Sequence, residues 1–185
     1  GKKISVDSST MMNKVFEIIE AKNIFNLPIS KLKILTHPKS YLHAIIKFKN
    51  GLTNMIVHET DMKIPIYNSI YENKEYYKKT KKIDLNKLNE LNLQKPNLKK
   101  FPLIKILKKI PTKFSLFETV LVSTNDTLVE LFLKNKIKYI SIPKIFESCI
   151  NLKEFKKYRN KVPVKIDQII KLNKLVQLKI NSIYK

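Results

Sequence analysis

The sequence predicts an α/β (α+β) chain, with helices around a mostly antiparallel sheet in its first part and a C-terminal helical bundle after it. Three observations carry this. Two strand-like runs flank Asn50-Gly51, a dipeptide suited to the positive φ angles of a tight hairpin. Four segments beyond residue 97 carry apolar stripes at helical spacing. Between the two, residues 72–97 turn polar and lysine-rich, as linkers do. The expected division is 1–71, a linker over 72–97, and a helical domain over 98–185.

The elements follow in order. A polar cluster, Asp7 to Thr10, precedes an apolar-periodic run over 10–20 and predicts a capped helix start, since Ser, Thr and Asp side chains accept from free helix N–H groups. Asn26-Leu27-Pro28 ends that helix. Residues 31–36 alternate apolar with polar like a strand, and His37-Pro38 closes it. Residues 42–49 and 52–57 are the hairpin strands, with a type I′ turn expected at Asn50-Gly51. That makes a sheet of at least three strands. Asp61 is placed to cap a short helix over 63–70 with Pro65 in its first turn. Helices are expected over 98–109, 125–134, 143–158 and 166–184, the last carrying the clearest stripe.

Composition narrows the function classes. The formal charge is +22, which would favour a polyanion through counterion release. Arg159 is the single arginine among 37 basic residues, however, and arginine is the side chain that reads bases and phosphates bidentately. The richness in Lys, Ile and Asn matches AT-rich codons, so no specific nucleic-acid partner is expected. No apolar run approaches the ~20 residues that span a bilayer, so no membrane partner is expected either. Cys149 is alone and reads as a small core residue. His37, His43 and His58 lack zinc-protease spacing. The only glycines, Gly1 and Gly51, are too few for a P-loop or a Rossmann fingerprint. The chain begins at Gly1 without Met, which is compatible with a fragment of something longer.

The opening stretch carries the chemistry. On a helix over 10–20, Met11, Met12, Val15, Phe16, Ile18 and Ile19 fill one arc, while Thr10, Asn13, Lys14 and Glu17 gather on the other. A helix start with free N–H groups, a lysine and an amide suits an anion, and a carboxylate one turn on suits a metal ion beside it. The bland alternative is a solvated face with Lys14 and Glu17 as an ordinary i,i+3 pair.

The pattern V-D-S-S-T-M-M-N-K-x-x-E-x-I-E-A over 6–21 resembles the 1-deoxy-D-xylulose 5-phosphate reductoisomerase family of the non-mevalonate isoprenoid pathway. The resemblance continues in order through His37-Pro38-Lys39-Ser40 with His43, Asn50-Gly51, Asp61-Met62-Lys63 with Pro65-Ile66, Lys95-Pro96 with Phe101-Pro102, and Asn125-Asp126. It implies a catalytic domain over 1–71, incomplete at its N-terminus, and the helical domain, without the family's N-terminal NADPH-binding domain. It also implies an NADPH- and Mg²⁺- or Mn²⁺-dependent isomeroreductase that converts 1-deoxy-D-xylulose 5-phosphate to 2-C-methyl-D-erythritol 4-phosphate. The implied protein is a homodimer located in cytoplasm or plastid stroma, and the chain alone is expected to be inactive.

Residue by residue, the resemblance assigns the substrate phosphate to Ser8, Asn13 and Lys14, and the metal to Glu17, one of three carboxylates in the family. Gly1 matches a backbone contact to NADPH. Ser40, His43 and Met62 match pocket-lining residues, Met62 near the nicotinamide; Lys14, Glu17 and His43 take the catalytic roles. The sequence departs from the family at Ser9 (usually Ala), Val15 (Gly), Lys39 (Gln), Thr60 (Pro) and Lys63 (Arg), and reads Val122-Ser123-Thr124-Asn125-Asp126 where Asn-Ala-Ala-Asn-Glu is usual. The competing readings are a basic module for nucleic acid or anionic surfaces, and a decayed non-catalytic paralogue.

Overall fold

The computed structural model describes residues 1–71 and 80–184. In chain order the elements are α1 (Lys2–Ser9), α2 (Met12–Ile24), β1 (Leu42–Lys47), β2 (Thr53–Val57), α3 (Lys63–Ile70), α4 (Leu85–Asn89), α5 (Leu116–Leu133), α6 (Ile142–Ile150), α7 (Lys153–Lys156) and α8 (Ile166–Ile183). Tight 3-10 turns cover Ile29–Lys31, Pro102–Lys109, Tyr139–Ser141 and Lys157–Asn160. Two compact units emerge: Gly1–Ile34 with Asn97–Lys185, and Leu35–Pro96. This division differs from the one expected at 71 and 97: α1 and α2 fall in the first unit, where they pack on α5.

The first unit is built around α5. Phe117, Val120, Leu121, Leu128 and Val129 are almost wholly buried, so the helix is apolar around most of its girth, as an interior helix must be. Around it, α8 applies Leu172, Val176 and Ile180 at four-residue spacing, α6 applies Phe146 and Ile150, and α2 applies Met12, Val15 and Ile19. Its end is set chemically: Asn135 adopts φ 59°, while the Asn135 N–H donates to Phe132 C=O and the Lys136 N–H to Leu131 C=O, each at 2.9 Å. That is a Schellman stop with Asn where Gly is usual. At the start of α8, Gln168 Oε1 accepts from Val164 N–H at 2.7 Å.

The second unit is thin. Its strands pair antiparallel, and Tyr41 is the one buried apolar side chain among its described residues. Lys87 sits 5.3 Å from the Tyr41 ring centroid and 3.3 Å from Glu59 Oε1. Asp61 Oδ1 accepts from Lys63 N–H at 2.9 Å at the head of α3, as expected, and Asp84 Oδ1 accepts from Lys87 N–H at 3.1 Å at the head of α4.

Several expectations are corrected. Residues 31–36 form no strand; after Pro28 they run from a 3-10 turn into a single bridge between Thr36 and Gln94, so the described sheet has two strands. The alternation was genuine, but among the described residues only the Thr36–Gln94 bridge pairs with it. The hairpin turn has three loop residues rather than two: Gly51 N–H donates to Phe48 C=O, only Gly51 has positive φ (92°), and Asn50 Oδ1 accepts from Leu52 N–H. The described part of the expected linker contains α4. The helix expected over 98–109 is 3-10 over Pro102–Lys109, the one at 125–134 extends back to Leu116, and that over 143–158 breaks at Asn151-Leu152. Residues 72–79 of the expected linker lie outside the described residues.

Candidate active site

Asp7 to Ser9 of the polar cluster before Met12 do not cap α2. Asp7 to Ser9 form the last turn of α1, and the chain turns sharply at Met11, whose φ of 61° is left-handed without glycine. The elbow is held by Thr10, whose hydroxyl donates to Val6 C=O at 3.0 Å and accepts weakly from Met12 N–H at 3.4 Å. A left-handed non-glycine residue stores strain, which persists only where surroundings over-determine it and is common at functional sites.

Here the surroundings are specific. Asp7 is buried, and Asn125 Nδ2 donates to its Oδ1 at 2.7 Å from the middle of α5. Lys3 Nζ lies 2.8 Å from Asp126 Oδ1 and 3.7 Å from Asp7 Oδ2, and its hydrogen bond to Asp126 raises its pKa above the ordinary 10.5. Tyr139 donates to Ser9 Oγ at 3.1 Å. None of these supports was assigned a role from sequence, although Asp7 and Asn125-Asp126 both stood in quoted motifs. Their partnership spans more than a hundred residues and leaves no local pattern.

Five expected site residues lie in the first unit, four of them (Ser8, Asn13, Lys14 and Glu17) at or just beside the α1–α2 elbow. Gly1 precedes α1 and is exposed; a Cβ there would meet nothing within 4 Å, so nothing inside the chain demands glycine. Ser8 is exposed on the last turn of α1. Asn13 is half-buried, and its Oδ1 is shut from solvent without a partner. Lys14 Nζ donates to both Oε1 and Oε2 of Glu17 at 3.0 Å, the i,i+3 pair that helical spacing allows. The other three, Ser40, His43 and Met62, belong to the second unit. Ser40 has φ 49°, Met62 is exposed at the head of α3, and His43 stacks on His58.

As a metal site, Glu17 offers a hard oxygen donor of the type Mg²⁺ and Mn²⁺ prefer. One carboxylate does not make a coordination shell, and the described residues contain no group of three or more His, Cys, Asp or Glu able to hold an ion. A cavity of about 620 Å³ in the first unit lies elsewhere, lined by Lys22, Asn23, Asn26, Thr112, Lys113 and Phe114 among others, and includes none of the expected site residues.

The first unit is thus a helical domain that carries Ser8, Asn13, Lys14 and Glu17 at a braced turn between two helices. The sequence profile of the DXP reductoisomerase C-terminal domain matches residues 58–178, and that of the 1-deoxy-D-xylulose 5-phosphate reductoisomerase C-terminal domain matches residues 1–25. The chain belongs to the DXP reductoisomerase C-terminal domain family.

Relatives agree. A 1-deoxy-D-xylulose 5-phosphate reductoisomerase of Pelagibacter ubique is 56% identical over 98% of this chain and 47% of its own length. One of Clostridium perfringens is 38% identical over 96% of this chain and 45% of its own. Among solved structures, DOX-P reductoisomerase in complex with NADPH, fosmidomycin and magnesium superposes with a TM-score of 0.85 at 28% identity, over 98% of this chain and 46% of that one. The Zymomonas mobilis enzyme in complex with NADPH gives 0.82 at 25% identity, over 98% and 47%. The chain thus spans just under half the length of the relatives it matches.

Proposed function

We propose that this chain is part of an NADPH- and divalent-metal-dependent isomeroreductase that converts 1-deoxy-D-xylulose 5-phosphate to 2-C-methyl-D-erythritol 4-phosphate. The observation that carries the reading is the α1–α2 elbow, where Ser8, Asn13, Lys14 and Glu17 stand on a turn strained at Met11 and braced by Asn125 on Asp7. The match to two reductoisomerase domain profiles supports it.

The chain's own residues account for binding and orientation. Lys14 neutralises the phosphate, the Ser8 hydroxyl donates to it, and the N-terminal end of α2 adds the positive end of its dipole. The unpartnered Asn13 Oδ1 takes a donor from the substrate, or the amide turns to present its N–H groups. Lys14 must leave Glu17 to do this, which frees both carboxylate oxygens at the same moment. Phosphate and metal sites are thereby filled together rather than in competition. Glu17 then holds the divalent cation, which when bound supplies Lewis acidity at the substrate carbonyl, while NADPH supplies the hydride. Ser40, His43 and Met62 keep the pocket-lining roles that the family resemblance implies, and Gly1 offers backbone to NADPH.

The protein acts as a homodimer in the cytoplasm. Ile45, Ile46, Phe48, Leu52, Met55 and Ile56 of the hairpin are all exposed, more apolar surface than a small sheet normally leaves to water, which supports a second copy as partner. No helix among the described residues is long and apolar enough to cross a membrane. The test is turnover: the holoenzyme carrying this chain reduces the sugar phosphate with NADPH and Mn²⁺, and the 185-residue chain alone does not. Turnover by the chain alone, or none by the holoenzyme, rejects the reading.

A further inference from the structure

Within the first unit, the end of α2 and the approach to α5 enclose the cavity of about 620 Å³, inside the range of about 300–1,000 Å³ that small-molecule sites occupy. Two cations line it, Lys22 and Lys113, with Asn26 and Thr112 as further hydrogen-bonding groups. Leu27, Pro28 and Phe114 supply an apolar wall. Among the described residues that line it there is no carboxylate. The C-terminal end of α2 and the N-terminal end of α5 carry opposite partial charges that offset, so the lysines set the sign of the site.

Lys22 is unlike the rest of this lining. It is only 3% exposed, whereas Asn26, Thr112, Lys113 and Phe114 are all exposed, so it stands at the inner end of the cavity. An ammonium carries three N–H donors. Glu118 Oε1 takes one of them at 2.5 Å, and no other acceptor meets Lys22 among the described residues. The Glu118 carboxylate is itself shared, because Asn23 Nδ2 donates to its Oε2 at 2.7 Å. A buried ammonium with unspent donors is costly, and a ligand oxygen entering the cavity would complete it. The rim is already formed. Asn26, at φ 49°, lets the Leu27 N–H return to Lys22 C=O at 3.1 Å and closes α2 as a Schellman turn.

We propose that this cavity is a second ligand site, separate from the α1–α2 elbow, that takes a small organic anion. Its oxyanion sits on Lys22 and Lys113, and its compact apolar body packs against Leu27, Pro28 and Phe114. Lys22 stands eight residues beyond Lys14 on α2, roughly 12 Å along the helix axis, so an anion held here is not the one at the elbow. Carboxylates and phosphate esters share this chemistry, and the test tells them apart.

The holoenzyme carrying Lys14→Met, which removes the lysine of the elbow, is titrated calorimetrically with benzoate and with phenyl phosphate. One probe molecule per chain should bind. Tighter benzoate supports a carboxylate ligand, and tighter phenyl phosphate a phosphate ester. Adding Lys22→Met/Glu118→Leu, which strands no buried charge, should weaken binding about tenfold or more, the scale of a lost charge-assisted hydrogen bond. Lys113→Gln changes an exposed residue that folding does not need, and it should weaken binding as well, which decides the matter if the double substitution unfolds the protein. Binding of neither probe overturns the proposal, as does an affinity unchanged by Lys113→Gln or by the double substitution in a folded enzyme. Inorganic phosphate binding as tightly as phenyl phosphate would mean an adventitious ion only, and overturns it too.

Discussion

Asn125 donates its side-chain amide to the Asp7 carboxylate at 2.7 Å in the interior of the first unit, joining the middle of α5 to the turn that precedes Ser8. The bond lets a rigid core helix set the height of the α1–α2 elbow, where the substrate phosphate is proposed to bind. Asn125→Ala would leave a buried carboxylate with Lys3, 3.7 Å away and half-exposed, as its remaining partner. The expected loss is about 2–3 kcal/mol of stability, the range for orphaning a buried charged group. Because Ser8 and Asn13 ride on this turn, KM for the sugar phosphate should rise more than kcat falls. Denaturant unfolding and steady-state kinetics on one preparation read both effects.

A second link to α5, made from α2, is ionic. Lys22 Nζ lies 2.5 Å from Glu118 Oε1, both side chains are almost wholly buried, and Asn23 donates to Oε2 at 2.7 Å. A buried pair stabilises little relative to an apolar pair, yet removing one partner strands the other charge. Glu118→Ala is therefore expected to cost about 3–5 kcal/mol, whereas Lys22→Met/Glu118→Leu together should be near neutral. Unfolding free energies of the single and double variants check this, and a double variant as unstable as the single would refute it.

Much of this architecture was legible in the sequence. The hairpin around Gly51, the capped helix after Asp61 and the stripe of α8 all form as local rules require, because each depends on residues within a few positions. The errors lie where long-range packing decides. The alternating run at 31–36 finds only the Thr36–Gln94 bridge among the described residues, and Asp7 to Ser9 carry the residue types of a cap but are used as a helix end. The site divides in the same way. Asn13, Lys14 and Glu17 stand within one helical turn and were readable as a motif. Asp7 with Asn125, and His43 with His58, are meetings across the fold that no spacing announces.

Glu17 is the most direct test of the metal assignment. In the unliganded chain its carboxylate is held by Lys14 through both oxygens. Glu17→Gln keeps the shape and removes the charge, so Mn²⁺ affinity of the holoenzyme should fall on the order of tenfold or more, with a matching loss of turnover. Lys14, released from its partner, should bind the phosphate no worse, leaving KM for the sugar phosphate unchanged or lower. A Mn²⁺ titration unaffected by the substitution would remove Glu17 from the metal site.

Cys149 gives a pH prediction. It is buried against Tyr184 beneath α8, and burial pushes its thiol from an ordinary 9.0 up to about 11. At neutral pH the native thiol is protonated and shielded, so a thiol reagent should label it only at the rate of unfolding. For stability the sign follows from proton counts. Between pH 9.0 and about 11 the unfolded chain has lost this proton and the native state keeps it, so unfolding releases a proton and stability falls as pH rises. The contribution is whole below pH 9.0 and declines across that window. Lysine titration overlaps it, so the measurement is a difference: the stability advantage of the parent over Cys149→Ala should shrink between pH 8.5 and 11, values chosen to bracket the window. A constant difference would mean that the thiol ionises alike in both states and is not shielded by the core.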